Sequence, residues 1–214
     1  ERKEDAVDHY EDVLGTYLVK LSAKHLSTED NRTINTLLHT IGDFERVSDH
    51  AVNLIKTAEE IRDKSIQFSE EALGDLGVLE AAVQDIVNRT VDAFQKGDVY
   101  AAGKIEPLEQ VVDGLVREVK TRHIARLQAG VCTIEYGFVL DDLLTNYERI
   151  ADHCSNIAVA MIEVSEDRFD THEYLNHIKN GESPSFEKRY ERYRGRYTFE
   201  PGPSGTAAAP EQKK

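Results

Sequence analysis

One pattern occurs twice in this chain. Phe44-Glu45-Arg46-Val47-Ser48-Asp49-His50-Ala51-Val52-Asn53 returns as Tyr147-Glu148-Arg149-Ile150-Ala151-Asp152-His153-Cys154-Ser155-Asn156, 103 positions later. An aromatic residue, Glu, Arg, Asp, His and Asn recur in register, so the chain is built from a duplicated unit. A second match pairs Glu4-Asp5-Ala6-Val7-Asp8 with Glu109-Gln110-Val111-Val112-Asp113 at an offset of 105. The two-residue difference falls in the intervening turn. Apolar residues near each copy recur every three to four positions, which is the spacing of helices rather than strands.

Five long helices follow from this spacing. The first covers residues 1–23, with Val7, Tyr10, Leu14, Leu18 and Leu21 on one stripe. The second covers 31–63, with Ile34, Leu37, Leu38, Ile41, Phe44 and Ile55 on its stripe and capping residues at Ser27 to Asp30. A third opens at Ser69 and closes at Gly97. A fourth, capped by Asp98, runs over 99–127 and is expected to bend at Pro107. The fifth covers 132–164. A short helix over 170–181, a Tyr- and Arg-rich helix over 186–197 and a disordered tail from Pro201 complete the reading. The second repeat owns three helices and the first shows two. The missing helix is expected upstream of Glu1, making the chain the C-terminal piece of something longer.

The formal net charge of −14, from 40 acidic and 26 basic residues, argues against nucleic acid as a partner and for cations or basic protein surfaces. No run reaches the ~18 apolar residues of a membrane helix. Cys132 and Cys154 form neither a metal-ligand spacing nor a disulfide framework, which fits a reducing, cytosolic setting.

Side chains four apart on a helix lie one above the other. Glu45, Asp49 and Asn53 therefore form a polar ladder beside the stripe of Ile34, Ile41, Ser48 and Val52. Glu148, Asp152 and Asn156 repeat it. Glu4 with Asp8, and Glu109 with Asp113, make the same step on the partner helices. Antiparallel packing would bring four carboxylates together in each repeat, and such clusters repel unless a cation joins them. Oxygen-rich sites suit Mg²⁺, Ca²⁺, Mn²⁺, Fe or Zn²⁺. The competing reading is a solvated face, since Glu and Asp at this spacing are common on exposed helices. His50 and His153 lie about 100° round the helix from their Asp and read as contacts to a partner helix rather than as ligands. A di-iron oxidase needs Glu-x-x-His, and none of the eight histidines has Glu three residues before it. No phosphate loop, zinc-protease motif or nucleophile elbow is present, so no enzymatic activity is expected.

The segments Glu45-Arg-Val-Ser-Asp-His-Ala-Val-Asn and Glu148-Arg-Ile-Ala-Asp-His-Cys-Ser-Asn resemble the signature of PhoU proteins, E-R-I-x-D-H-x-x-N. His172-Glu173-Tyr174-Leu175 and the Tyr/Arg-rich helix that follows resemble the C-terminus of bacterial Na⁺/phosphate cotransporter family proteins, which carry a PhoU-like domain after their membrane portion. The resemblance implies an all-α fold of two tandem three-helix bundles, the first lacking its first helix. The repeats would span residues 1–66 and 67–166, with a helical extension over 167–199 and a tail over 200–214. It implies iron or zinc clusters held by Glu4, Asp8, Glu45, Asp49, Glu109, Asp113, Glu148 and Asp152. It also implies a regulatory role in phosphate transport and phosphate homeostasis. The site would be the cytoplasmic face of the membrane, beside a transporter portion of the same polypeptide, with homo-oligomers as further partners. A free-standing regulator of phosphate uptake, a metal-free helical scaffold and a metal-dependent hydrolase are the alternatives.

Overall fold

The computed structural model describes residues 2–166 and 184–200. The helix expected over 170–181 and the tail beyond residue 200 lie outside them. The described residues form helices α1 (Arg2–Ser22), α2 (Thr28–Asp63), α3 (Glu70–Lys96), α4 (Val99–Ala102), α5 (Glu106–Gln128), α6 (Ile134–Glu166) and α7 (Pro184–Arg196), with no strand among them.

Local chemistry sets the boundaries. The Ser27 hydroxyl accepts from the Asp30 amide and starts α2, and Ser69 does the same for α3 through Ala72. Gly97, at φ +61°, closes α3 in the left-handed region where a glycine is least strained. Asp98 caps α4 through the Ala101 amide.

Pro107 does not bend a long fourth helix, as the sequence reading has it. The chain breaks after Ala102, and Pro107 sits in the first turn of a new helix, α5. Proline lacks an amide hydrogen, and the first turn is where that hydrogen has no helical partner to lose.

α3, α5 and α6 form a three-helix bundle around Leu79, Ile86, Val112, Val116, Val119, Leu140, Leu144 and Ile157, all essentially inaccessible. Among the described residues α2 lies along α6 over the most extensive helix pairing, and α1 packs chiefly on α2. Among the described residues the first repeat thus contributes a hairpin, α1–α2, docked on the three-helix bundle of the second. Ile55, assigned to the buried stripe of α2 from its sequence, is 59% exposed because none of the described helices covers that side.

α7 is more than a solvated basic helix. It packs on α5, and the rings of Phe186, Tyr193 and the following Tyr197 are buried. Arg189 donates to the Gly103 carbonyl at 2.8 Å, and the Tyr197 hydroxyl donates to Asp85 at 2.8 Å. At the other end of α5, Asp75 is buried between Arg122 at 3.0 Å and Arg126 at 2.8 Å. Arg122 also donates to the Glu200 carbonyl, tying the end of the described chain to α5.

Candidate metal centres

The polar ladders of α2 and α6 border the α2–α6 seam. Each approaches carboxylates of its hairpin partner, α1 or α5. In the first repeat Asp8, Glu45 and Asp49 bring one ligand oxygen each to within 4.8 Å of one another. In the second, Glu109, Asp113 and Asp152 do the same. The structure gathers six of the eight carboxylates named from sequence; Glu4 and Glu148 are in neither triad.

The triads are related by the repeat but differ. Asp8 and Asp113 are equivalent, as are Asp49 and Asp152. The third carboxylate comes from α2 in one repeat (Glu45) and from α5 in the other (Glu109). Their settings differ too. Asp8 is exposed, whereas Glu109 is buried. A cavity of about 200 Å³ lies over the second triad, lined by Glu106, Glu109, Arg149, Asp152, His153, Ser155 and Asn156. The Ser155 hydroxyl donates to the buried carboxylate of Glu106 at its base.

Each triad has an arginine beside its Asp, three residues before it on the same helix. Arg46 lies 3.4 Å from Glu45 and 3.5 Å from Asp49, and Arg149 lies 3.1 Å from Asp152. Burial holds the Glu45 carboxyl above the ordinary value, and the Asp49 charge adds to this while Arg46 opposes it. Burial is the larger cause of the Glu45 shift, and the neighbouring negative charge of Asp49 is the second. The donors are all oxygen, so the sets fit hard or intermediate cations and do not fit soft ones.

The histidines make their side-chain contacts across the seam. His50 Nδ1 lies 2.9 Å from Asn146 Oδ1, and His153 Nδ1 lies 2.8 Å from Asp43 Oδ1. The two rings stack with centroids 5.6 Å apart. Asn156 also donates to Asp43 at 3.2 Å. Asp43 and Asn146 occupy equivalent places, two residues before Glu45 and Glu148, so the contacts are mates under the internal two-fold. Sequence reasoning missed this pair. The signal was present, because both are polar at one repeat position, but a one-residue extension of the pattern carried no chemistry by itself. It also missed Glu106, which lies one helical turn before Glu109 on α5.

A repeated pair of helical hairpins, joined along a histidine seam and each presenting a carboxylate triad, defines a class of duplicated helical-bundle proteins. The sequence profile of the PhoU domain matches residues 1–58 and 78–161, and the chain belongs to that family. It is 23% identical over 150 residues to a phosphate-specific transport system accessory protein, PhoU homolog 1, of Thermotoga maritima, covering 70% of this chain and 63% of that protein. It is 29% identical over 146 residues to the phosphate-specific transport system accessory protein PhoU of Edwardsiella tarda, covering 65% of this chain and 56% of that protein. The match therefore spans less than two thirds of either relative. No helix among the described residues is long and apolar enough to cross a membrane.

Proposed function

We propose that this chain is a metal-binding regulatory domain acting on phosphate transport. The observation that carries the reading is the pair of carboxylate triads at equivalent places in the two repeats. The names of its relatives, accessory proteins of a phosphate-specific transport system, supply the physiological setting. In the first repeat Asp8, Glu45 and Asp49 hold the cation, and in the second Glu109, Asp113 and Asp152 do. Iron or zinc is the metal. Bound, it neutralises three clustered carboxylates and ties α1 to α2, or α5 to α6. The finer reading places the domain on the inner face of the membrane, regulating a Na⁺/phosphate cotransporter portion of the same polypeptide. A free-standing regulator of phosphate uptake fits the same relatives.

Elemental analysis of the chain purified without chelator tests the metal. Bound iron or zinc, lost from the Asp49→Asn/Asp152→Asn double variant, is the expected result. A metal-free protein of normal helical content overturns it. The regulatory part is tested separately, by phosphate uptake in cells producing the parent or the double variant in the native context. Sodium-dependent uptake that changes with the variant supports the cotransporter setting. A change confined to sodium-independent uptake favours the free-standing regulator.

A further inference from the structure

α7 is a basic helix on an acidic protein. Five of its residues are Lys or Arg and two are Glu, whereas the chain as a whole carries −14. The cations are sorted by face. At ~100° per residue, Lys188, Arg189, Arg192 and Arg196 fall within one sector about 100° wide. Phe186, Tyr190 and Tyr193 fill the adjoining sector, where side chains are buried or half-buried. Glu187 and Glu191 fall outside both, on the side of Arg194, and Glu191 lies 3.8 Å from that arginine. The basic sector therefore holds no acid of its own helix.

Neighbouring elements do not neutralise this sector. Lys188 and Arg192 are exposed, and among the described residues neither makes a hydrogen bond or an ion pair. Arg196 lies 3.3 Å from Asp85, but that carboxylate is already held by Arg89 at 2.9 Å and by the Tyr197 hydroxyl. Arg189 is anchored by a neutral group, the Gly103 carbonyl. Through Arg189 the basic surface continues past the end of α4. The Arg189 guanidinium lies 5.5 Å from the centre of the Tyr100 ring, and the Lys104 ammonium lies 4.0 Å from it. Tyr100 itself is 70% exposed. Cations gathered on one face and left without acids, on a chain rich in acids, fit an anionic partner.

We infer that this face of α7, with Tyr100 and Lys104, docks on the headgroups of anionic phospholipids. The aromatic side of α7 is buried, so the helix has no apolar face left to insert and binds by charge. Lys and Arg clusters are drawn to anionic headgroups. An exposed tyrosine ring set between two cations suits the same depth, where aromatic rings gather at membrane surfaces. The acids of the other helices do not cancel the attraction. At about 0.1 M salt the screening length is ~10 Å, so the charges at the contact outweigh those on the far side. The inference deepens the membrane-side setting of the proposed function and makes no use of the metal.

Cosedimentation of the 214-residue chain with vesicles tests it. The vesicles are phosphatidylcholine alone, or equal parts of phosphatidylcholine and phosphatidylglycerol. A chelator is present, so that divalent cations cannot bridge the acidic helices to the lipid. The chain should bind the phosphatidylglycerol vesicles and not the others. Lys188→Glu/Arg192→Glu should lower that binding by at least about tenfold with the helical circular-dichroism signal intact, because neither side chain holds the fold. Tyr100→Ala should weaken it without any change of charge. Lys20→Glu/Lys24→Glu makes the same change in net charge at exposed positions near the end of α1, and should leave binding nearly unaltered. Absence of binding to anionic vesicles overturns the inference, as does an equal loss from the two double variants. Binding to polyglutamate with the vesicles left free overturns the choice of lipid. The vesicles contain no transporter, so failure here is distinct from failure of the uptake measurement.

Discussion

Replacing Asp75 by Ala removes the one carboxylate that faces Arg126 and Arg122 across the α3–α5 contact. Asp75 is 3% exposed and Arg126 7%, so the substitution leaves a guanidinium in a site from which water is nearly excluded. Breaking a buried pair from one side typically costs about 3–5 kcal/mol, mostly the penalty of the orphaned charge. Arg122 is only partly buried, and it keeps its hydrogen bonds to the Glu200 carbonyl. It can therefore be solvated in the variant, and the cost should lie near the bottom of that range, about 3 kcal/mol. For a domain of this size that lowers the melting temperature by roughly 6–12 °C. Thermal and urea unfolding of Asp75→Ala measure it. The mechanism makes a second demand. If the orphaned charge is the cause, Asp75→Leu combined with Arg126→Met should recover most of the loss, because an apolar pair of similar volume has no charge to desolvate. A cost below about 1 kcal/mol, or a double variant no better than Asp75→Ala, refutes the reasoning.

Three further outcomes are expected. Glu45→Gln removes a carboxylate that burial, and after it the Asp49 charge, disfavours, so the metal-free protein should be equally or more stable at neutral pH, while the rise in melting temperature on adding metal should shrink; thermal scans with and without added iron or zinc read both. Burial pushes the Cys154 thiol up to about 11, whereas Cys132 is only half-buried; a thiol reagent at neutral pH should label Cys132 in the folded chain and both cysteines after unfolding. Burial raises Asp85, but hydrogen bonds from Arg89 and Tyr197 outweigh it and hold the carboxyl below its ordinary value. Its contribution is present above the unfolded carboxylate value and is lost as pH falls through the lower folded one. Tyr197→Phe should therefore cost about 1–3 kcal/mol at neutral pH, and the gap between parent and variant in urea unfolding should narrow at acid pH.

The repeat and its helical spacing were legible because they depend on residue order alone. Aromatic, Glu, Asp and Asn at fixed steps place side chains on one helix face whatever the surroundings. What the spacing does not specify is how far round that face the partner helix sits. Steps of four residues rotate by about 40°, so whether both members of such a pair reach one point, as Glu109 and Asp113 do, or only one does, as with Asp8 and not Glu4, depends on the partner helix. In the first repeat Asp8 and Glu45 converge, and in the second Glu109 and Asp113 do, a choice made by the crossing of helices rather than by the motif. Pro107 was read as a bend because the apolar pattern continues on both sides of it, yet Gly103 and the proline together favour a fresh start. The tyrosines of α7 were obscured by their charged neighbours. Their burial against α5 rests on contacts more than 70 positions away in sequence, beyond any local pattern.

The histidine seam makes the paired helices into levers. α6 has 33 residues, which is about 50 Å of rigid rod at ~1.5 Å per residue. His153 grips Asp43 near its middle and His50 grips Asn146 a little to one side, so the seam is a short fulcrum on a long arm. Asp152 sits beside that fulcrum, about 21 Å from the end of α6. A tilt of only ~5° there, too small to break either histidine contact, would swing the far end of the helix by roughly 2 Å. Such a swing would reach the tip only as far as the core packing of Ile157, Met161 and Ile162 yields to it.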